Sequence, residues 1–285
     1  MDTELARTFL TVVAAGNFVK AAERLFVTQS TVSARIQSLE QQLGCRLFVR
    51  NKAGTTLTAA GRQFQKHAVT LMRTVEQARQ DLGVTQGFRA SLTIGGRFGI
   101  WEDLLLQWLP LMQANAPDIA LRAEIGFEDD LMLGLVDGRI DIAVMYTPQS
   151  RPGLQVEPLL EEELILVHTE AAEAGLPMNS NYVYIDWGQE FRARHAASFP
   201  DFTGPGLSAN IGWLGLKHIL KHGGSGFFPR RLVEKHLANG MLAEAKDAPQ
   251  FRLPAYVVYP SDYDTELFDV PLAQLRTLAA EVDAH

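Results

Sequence analysis

Three short apolar periodicities crowd into the first 58 residues, and they constrain the fold more tightly than anything else in this 285-residue chain. Leu5, Phe9, Val12 and Val13 recur at helical spacing, so residues 2–15 are expected to form an amphipathic helix. Gly16-Asn17 breaks it, and a second short helix follows from Phe18 to Leu25 with Ala21, Ala22 and Leu25 turned inward. Thr28 is a good N-cap for a third helix, in which Val32, Ile36, Leu39 and Leu43 lie at 4-3-4 spacing before Gly44 stops it. Two helices separated by a three-residue turn, the second carrying an apolar stripe, make a helix-turn-helix.

Opposite that stripe the third helix is small and polar. Ser30, Ala34 and Gln37 point away from the core, flanked by Thr31, Ser33, Arg35 and Ser38. No bulky side chain holds the backbone off a partner. Such a helix fits the major groove of double-stranded DNA, where hydroxyls, an amide and a methyl reach base edges and thymine methyls. Its first turn, at Gln29-Ser30, offers N–H groups and a positive dipole end to a phosphate. Beyond Gly44, Leu47-Phe48-Val49 suits a strand, Asn51 to Gly54 a turn and Thr55 to Thr58 a returning strand. Arg46, Arg50 and Lys52 crowd this hairpin, as they would on a wing that reaches the DNA backbone or a minor groove.

The net charge of −7 argues against a nucleic-acid partner only until it is divided. Residues 1–87 carry 11 Lys and Arg against 6 Asp and Glu, whereas residues 88–285 carry 15 against 27. Between residues 18 and 66 the balance is 8 basic to 2 acidic. A basic head on an acidic body suggests a nucleic-acid module joined to something else. A solvated basic face on a small helical subdomain is the bland alternative. Helix-turn-helix spacing, a polar recognition face and a basic wing together favour DNA.

The run FLTVVAAGNFVKAAERLFVTQSTVSARIQSLEQQLGCRLFVRNKAGTTLTAAG closely resembles the winged helix-turn-helix of LysR-type transcriptional regulators. AAERLFVTQSTVS, IQSLEQQLG, LFVR and LTAAG carry the likeness, which covers nearly all of residues 1–65. The opening MDTELARTFL and the WE…W of residues 101–108 look nearest to the HdfR-like branch. By position, the resemblance makes Gln29, Ser30, Thr31, Ser33 and Arg35 the DNA readers and Arg50 the wing contact. Cys45 is the only cysteine, so the paired effector-domain cysteines of the peroxide-sensing members are absent and sensing by disulfide is excluded.

From Ala59 to about Gly87 there is no proline, and Phe64, Ala68, Leu71, Val75, Ala78 and Leu82 form a heptad seam about 27 Å long. One helix packed on its own domain would show the same stripe. The polar residues between the seam positions favour a coiled-coil homodimer, whose two recognition helices would read a dyad-symmetric site. The resemblance implies a linker helix here and homotetramers built from dimers; RNA polymerase is a further candidate partner.

From Ser91 onward strands and helices alternate, which indicates an α/β fold with a mainly parallel sheet. SLTIG, IALRAEIG and IDIAVMY are expected strands, with helices at residues 100–113 and 129–136 between them. A second set follows: LILVH, YVYID, helices at 213–221 and 230–238, and PAYVVYP. A final helix, 271–282, is expected to return to the first set. LVDGRIDIAVM and GGSGFFP resemble pieces of the LysR effector domain, which implies a two-lobed, periplasmic-binding-protein-like unit. The expected organisation is therefore a winged helix-turn-helix at 1–58, a linker helix at 59–88 and an effector-binding α/β domain at 89–285. Its first lobe would hold residues 89–160 and 261–285, and its second residues 161–260.

Ligands in open α/β sheets sit beyond the carboxyl ends of strands. Arg97, Phe98 and Gly99 follow the first strand, Tyr146 and Thr147 end another, and Asp186 and Trp187 end a third, so these seven are the candidate effector-binding residues. Arg97, beside a helix start, could hold the carboxylate or phosphate of an anionic small molecule. A salt bridge from Arg97 to a nearby acid is the structural alternative, as is a Trp187 that only caps the core.

His218 and His222 stand one turn apart but lack further ligands, so neither a metal nor a cofactor is expected. Gly223-Gly224-Ser225-Gly226 follows a helix and reads as a C-cap turn, not a phosphate loop. No nucleophile elbow is present. A lone cysteine and the absence of any apolar run of membrane-spanning length point to a cytoplasmic protein without a membrane partner. TFLTVVAAG reads as a core helix, not a signal peptide, because Asp2 and Glu4 precede it. The reading is a DNA-binding regulator that answers a small molecule; an enzyme with a DNA-binding head and an architectural DNA-binding protein without effector are the alternatives.

Overall fold

A computed structural model describes residues 2–51, 54–83, 87–169 and 181–283. The head follows its sequence pattern closely. Helix α1 (Thr3–Ala15) starts at Asp2, whose carboxylate accepts the Glu4 N–H, and ends on Gly16 at φ 69°, a left-handed conformation open to glycine. Helix α2 (Phe18–Arg24) starts at Asn17 and α3 (Gln29–Leu43) at Thr28. The wing is β1 (Phe48–Asn51) paired antiparallel with β2 (Gly54–Leu57). Phe9 meets Phe48 and Phe64, and Phe18 meets Phe48, at centroid distances of 5.1, 5.0 and 5.8 Å. Val32, Ile36 and Leu39 complete this core from the inner face of α3.

Helix α4 (Ala59–Gly83) begins at Thr58, whose hydroxyl accepts the Gly61 N–H at 2.9 Å. Phe64 and Ala68, expected at the start of a dimer seam, are instead buried in the head's own core at 8% and 0% exposure, beside Val69 and Met72. Leu71 packs against the same core, Val75 is half-buried and Ala78 is exposed, while the Leu82 side chain lies outside the described residues. A heptad stripe records a buried face without saying which chain buries it. Here α1 covers its first turns.

The body begins with β3 (Ala90–Gly96) and one helical run made of α5 (Phe98–Ile100), a π turn (Trp101–Leu105) and α6 (Leu106–Asn115). Then come β4 (Ile119–Ile125), α7 (Glu128–Asp137), β5 (Ile142–Met145) and the long β6 (Leu154–His168). The second lobe contains β7 (Val183–Ile185), α8 (Gln189–Ser198), β8 (Leu207–Ala209), α9 (Gly212–His222), β9 (Ser225–Pro229), α10 (Arg230–Ala238) and β10 (Ala243–Glu244). Strand β11 (Phe251–Pro260) and helix α11 (Thr265–Asp283) return to the first lobe.

The main sheet has the order β10-β6-β11-β5-β3-β4, with β9 also on β6; β3 is parallel to β4 and β5, and β11 is antiparallel to its neighbours. Each long strand serves both lobes. In β11, Phe251 to Leu253 lie opposite the Leu164 end of β6, whereas Tyr256 to Val258 pair with β5, and the register shifts between Ala255 and Tyr256. The border expected at 160/161 falls inside the continuous β6 (Leu154–His168), and β11 runs without a break up to the one expected at 260/261. Two further expectations shift. Ser225 and Gly226, expected in a turn, open the fully buried strand β9. Helix α11 starts six residues before Pro271, which sits inside it with its carbonyl accepting the Trp108 indole N–H at 3.1 Å. Among the described residues no helix is long and apolar enough to cross a membrane, and no group of three or more His, Cys, Asp or Glu could hold a metal ion.

Candidate functional site

On α3 the stripe Val32, Ile36 and Leu39 is buried, which turns the polar face outward. Gln29, Ser30, Ala34 and Gln37 are exposed, and Thr31, Ser33 and Arg35 are half-buried. Thr28 accepts the Thr31 N–H at 3.2 Å and bonds the hydroxyls of Ser30 and Thr31, both at 2.8 Å, so the first turn is rigid before any partner arrives. Arg35 bends back to Glu4 of α1 at 2.8 Å, a contact that pattern reading alone did not anticipate. The backbone of Arg50 lies in the wing opposite Thr55. Its side chain, and all of Lys52, lie outside the described residues.

The seven residues proposed at strand ends in the body come together between the lobes. Arg97, Phe98, Gly99, Tyr146 and Trp187 line one cavity of 270 Å³. Arg97, Thr147 and Asp186 line an adjoining one of 510 Å³. Trp187 is a wall of this cleft: it is 4% exposed, and its indole N–H donates to the Phe227 carbonyl at 2.9 Å. A Cβ at Gly212 would lie 2.3 Å from the Trp187 ring, so glycine there lets the start of α9 rest on the indole.

Four helical segments begin at the cleft, and their N-cap residues Arg97, Phe127, Gly188 and Ile211 line it. None of the four has a side-chain cap. Uncapped helix starts present N–H groups and positive dipole ends to whatever enters. Arg97 adds a cation that is 11% exposed, stacked over the Phe127 ring at 4.6 Å and 3.3 Å from Glu128. That ion pair is made by the buried Nε, without the alignment of a hydrogen bond. Asp186 is occupied too, by Arg192 at 2.6 Å and by the Gly188 N–H.

Beneath the cavity lies a buried polar network that the sequence reading did not find. The Tyr146 hydroxyl donates to Glu162 at 3.0 Å, and Arg231 of α10 grips both Glu162 oxygens at 3.0 and 2.6 Å. Arg231 also donates to the Gly99 carbonyl at 2.6 Å, which joins the second lobe to the cavity floor of the first. Burial, with the Glu162 charge beside it, pushes the Tyr146 phenol well above its usual pKa. Burial also opposes the Arg231 charge, but Glu162, Tyr146 and Asp103 hold its pKa above the ordinary guanidinium value. The only sequence signal was a Glu-rich stretch, residues 161–163, inside an apolar strand.

Residues 3–62 match the bacterial regulatory helix-turn-helix protein, lysR family, and residues 85–181 match the LysR substrate binding domain. The chain is 30% identical over 281 residues to the HTH-type transcriptional regulator HdfR of Escherichia fergusonii, which covers 98% of this chain and 99% of that protein. Its fold is similar to that of ArgP from Mycobacterium tuberculosis, with a TM-score of 0.62, 23% identity and 98% of each chain covered. It is also similar to full-length LysG from Corynebacterium glutamicum with bound effector Arg, with a TM-score of 0.58, 18% identity and 99% of each chain covered.

Proposed function

The chain belongs to the LysR family of DNA-binding transcriptional regulators, and from that premise we propose that α3 reads a dyad-symmetric operator while the interlobe cleft takes a small effector bearing an anionic group. The exposed readers are Gln29, Ser30, Ala34 and Gln37, with Thr31, Ser33 and Arg35 at the margins and Arg50 and Lys52 on the wing. Self-association brings two such heads to one site, as a homodimer and from there a tetramer, through α4 beyond the turns that the head covers. RNA polymerase is the partner of the bound regulator, and the work is done in the cytoplasm without catalysis.

One observation carries the ligand assignment: uncapped helix starts converge on a cavity that also holds the largely buried cation of Arg97. A carboxylate or phosphate supplies what those N–H groups lack. It must displace Glu128 from Arg97, and that exchange gives ligand binding a structural consequence, since a ligand shifts an equilibrium only through its differential affinity for two arrangements. The test is a thermal-shift screen of carboxylated and phosphorylated metabolites on the full chain and on Arg97→Ala. Stabilisation by one anion, lost in R97A while the variant still folds and still prefers its selected duplex, supports the assignment. An R97A variant that responds normally overturns it.

A further inference from the structure

Helix α7 reaches from the effector cleft to the head. Its first turn, Phe127 to Asp130, lines the cleft. Its last turn meets Arg73 of α4: the guanidinium donates to the Leu135 carbonyl from Nη2 at 3.2 Å and from Nε at 3.4 Å. From Nη1 it donates to the Gly153 carbonyl at 3.4 Å, at the start of β6. Gly153 closes a loop whose beginning, at Thr147 and Gln149, is cleft wall. Both segments held by Arg73 therefore have their other ends in the ligand site.

The contact is tight. Gly138, which ends α7 at φ 75°, comes so near α4 that a Cβ there would lie 2.7 Å from the Arg73 Cα. Val136, two residues earlier, packs against the core of the head and that of the body alike. A guanidinium on the last carbonyls of a helix is also well placed for the negative end of the helix dipole. A helix of ten residues shifts as a unit when one end is pushed, because packed interiors do not deform continuously.

We infer that Arg73 is the positioning residue that couples the cleft to the DNA-binding head: displacement of Glu128 at the first turn of α7 is felt at its last turn, and Arg73 passes the shift to α4 and so to the spacing of the recognition helices. This rests on the proposed ligand site, but it can be tested without a ligand. Glu128→Gln loosens the Arg97 pair as an entering anion would. The probe is a duplex selected from random sequence by the full chain, and affinity is read by anisotropy for E128Q, Arg73→Met, Arg73→Lys and the two double variants.

In the Arg73 background E128Q is expected to change DNA affinity by about 2- to 30-fold, the usual range for such coupling. In R73M and in R73K, which keeps the charge but not the fork to two carbonyls, the effect of E128Q should fall below about 1.5-fold. R73K keeps the test open if R73M does not fold. An E128Q effect of equal size in every background, or in none, overturns the inference. Failure of the parent chain to select any duplex would instead overturn the DNA-reading function on which it stands.

Discussion

The head and the cleft begin their helices in opposite ways. In the head, Asp2, Asn17, Thr28 and Thr58 each cap the helix that follows, accepting N–H groups of its first turn. At the cleft, Arg97, Phe127, Gly188 and Ile211 leave four helical starts without a side-chain cap. Capped helices are finished objects. They hold a fixed surface that a rigid partner such as a DNA groove can meet. Uncapped ones leave donors waiting, which suits a site that closes on a ligand. The charges differ as well: residues 18–66 carry 8 basic residues against 2 acidic ones, whereas the cleft pairs Arg97, Arg231 and Arg192 with Glu128, Glu162 and Asp186.

The largest effect should come from breaking the paired side of this contrast. Glu162 is 4% exposed and the Arg231 side chain 12%, so Glu162→Gln leaves a buried guanidinium short of its countercharge. Removing one partner of a buried pair costs about 3–5 kcal/mol. Denaturant titration should show that loss in the body transition, with the head's transition in place. On the exposed side, Gln29→Ala should cost about 1–3 kcal/mol in discrimination at the base pair it reads, measured by competition between the selected duplex and its point variants. Unchanged discrimination would remove Gln29 from the reading face.

How far each region could be read from the sequence follows from the same difference. In α3 the determinants are local: Thr28 caps the helix that carries Val32 and Ile36, and Gly44 ends it, all within one short span. The body's strands were readable as apolar runs, and the cleft residues could be placed because they end strands. Their partners were not readable. Arg231 and Glu162 are 69 residues apart, and only the crossing of β6 past α10 brings them together. The start of the α4 seam was ambiguous for a related reason, since Phe64 and Ala68 satisfy a heptad whether α1 or a second chain covers them. Arg73, a polar residue between seam positions, gave no hint that it enters the body.

Two smaller effects sharpen the comparison. Asp141 is buried behind β3, where its carboxylate accepts the Thr93 N–H at 2.7 Å, and burial pushes its pKa up to about 7 against that bond and the charges of Arg73 and Arg122. A carboxyl raised above its ordinary value stabilises the fold when protonated. Its contribution is therefore complete in acid and is lost as pH rises through about 7. The unfolding free energy should fall by up to about 1.4 kcal/mol per pH unit between about pH 4 and pH 7 and level off above it, and Asp141→Asn should flatten that slope. In the head, Thr28→Ala should cost about 1 kcal/mol through loss of the cap, with a matching weakening of DNA binding as the first turn of α3 frays. A cost near zero would mean that tertiary packing alone sets this turn.

The most direct test is an anisotropy titration of the full chain against its selected dyad duplex and against the same duplex with both half-sites scrambled, at one fixed salt concentration. Site-specific reading by α3 predicts that the dyad is bound at least about 10³-fold more tightly. Equal affinity for the two would contradict it and would make the protein an architectural binder held to DNA by its basic head alone.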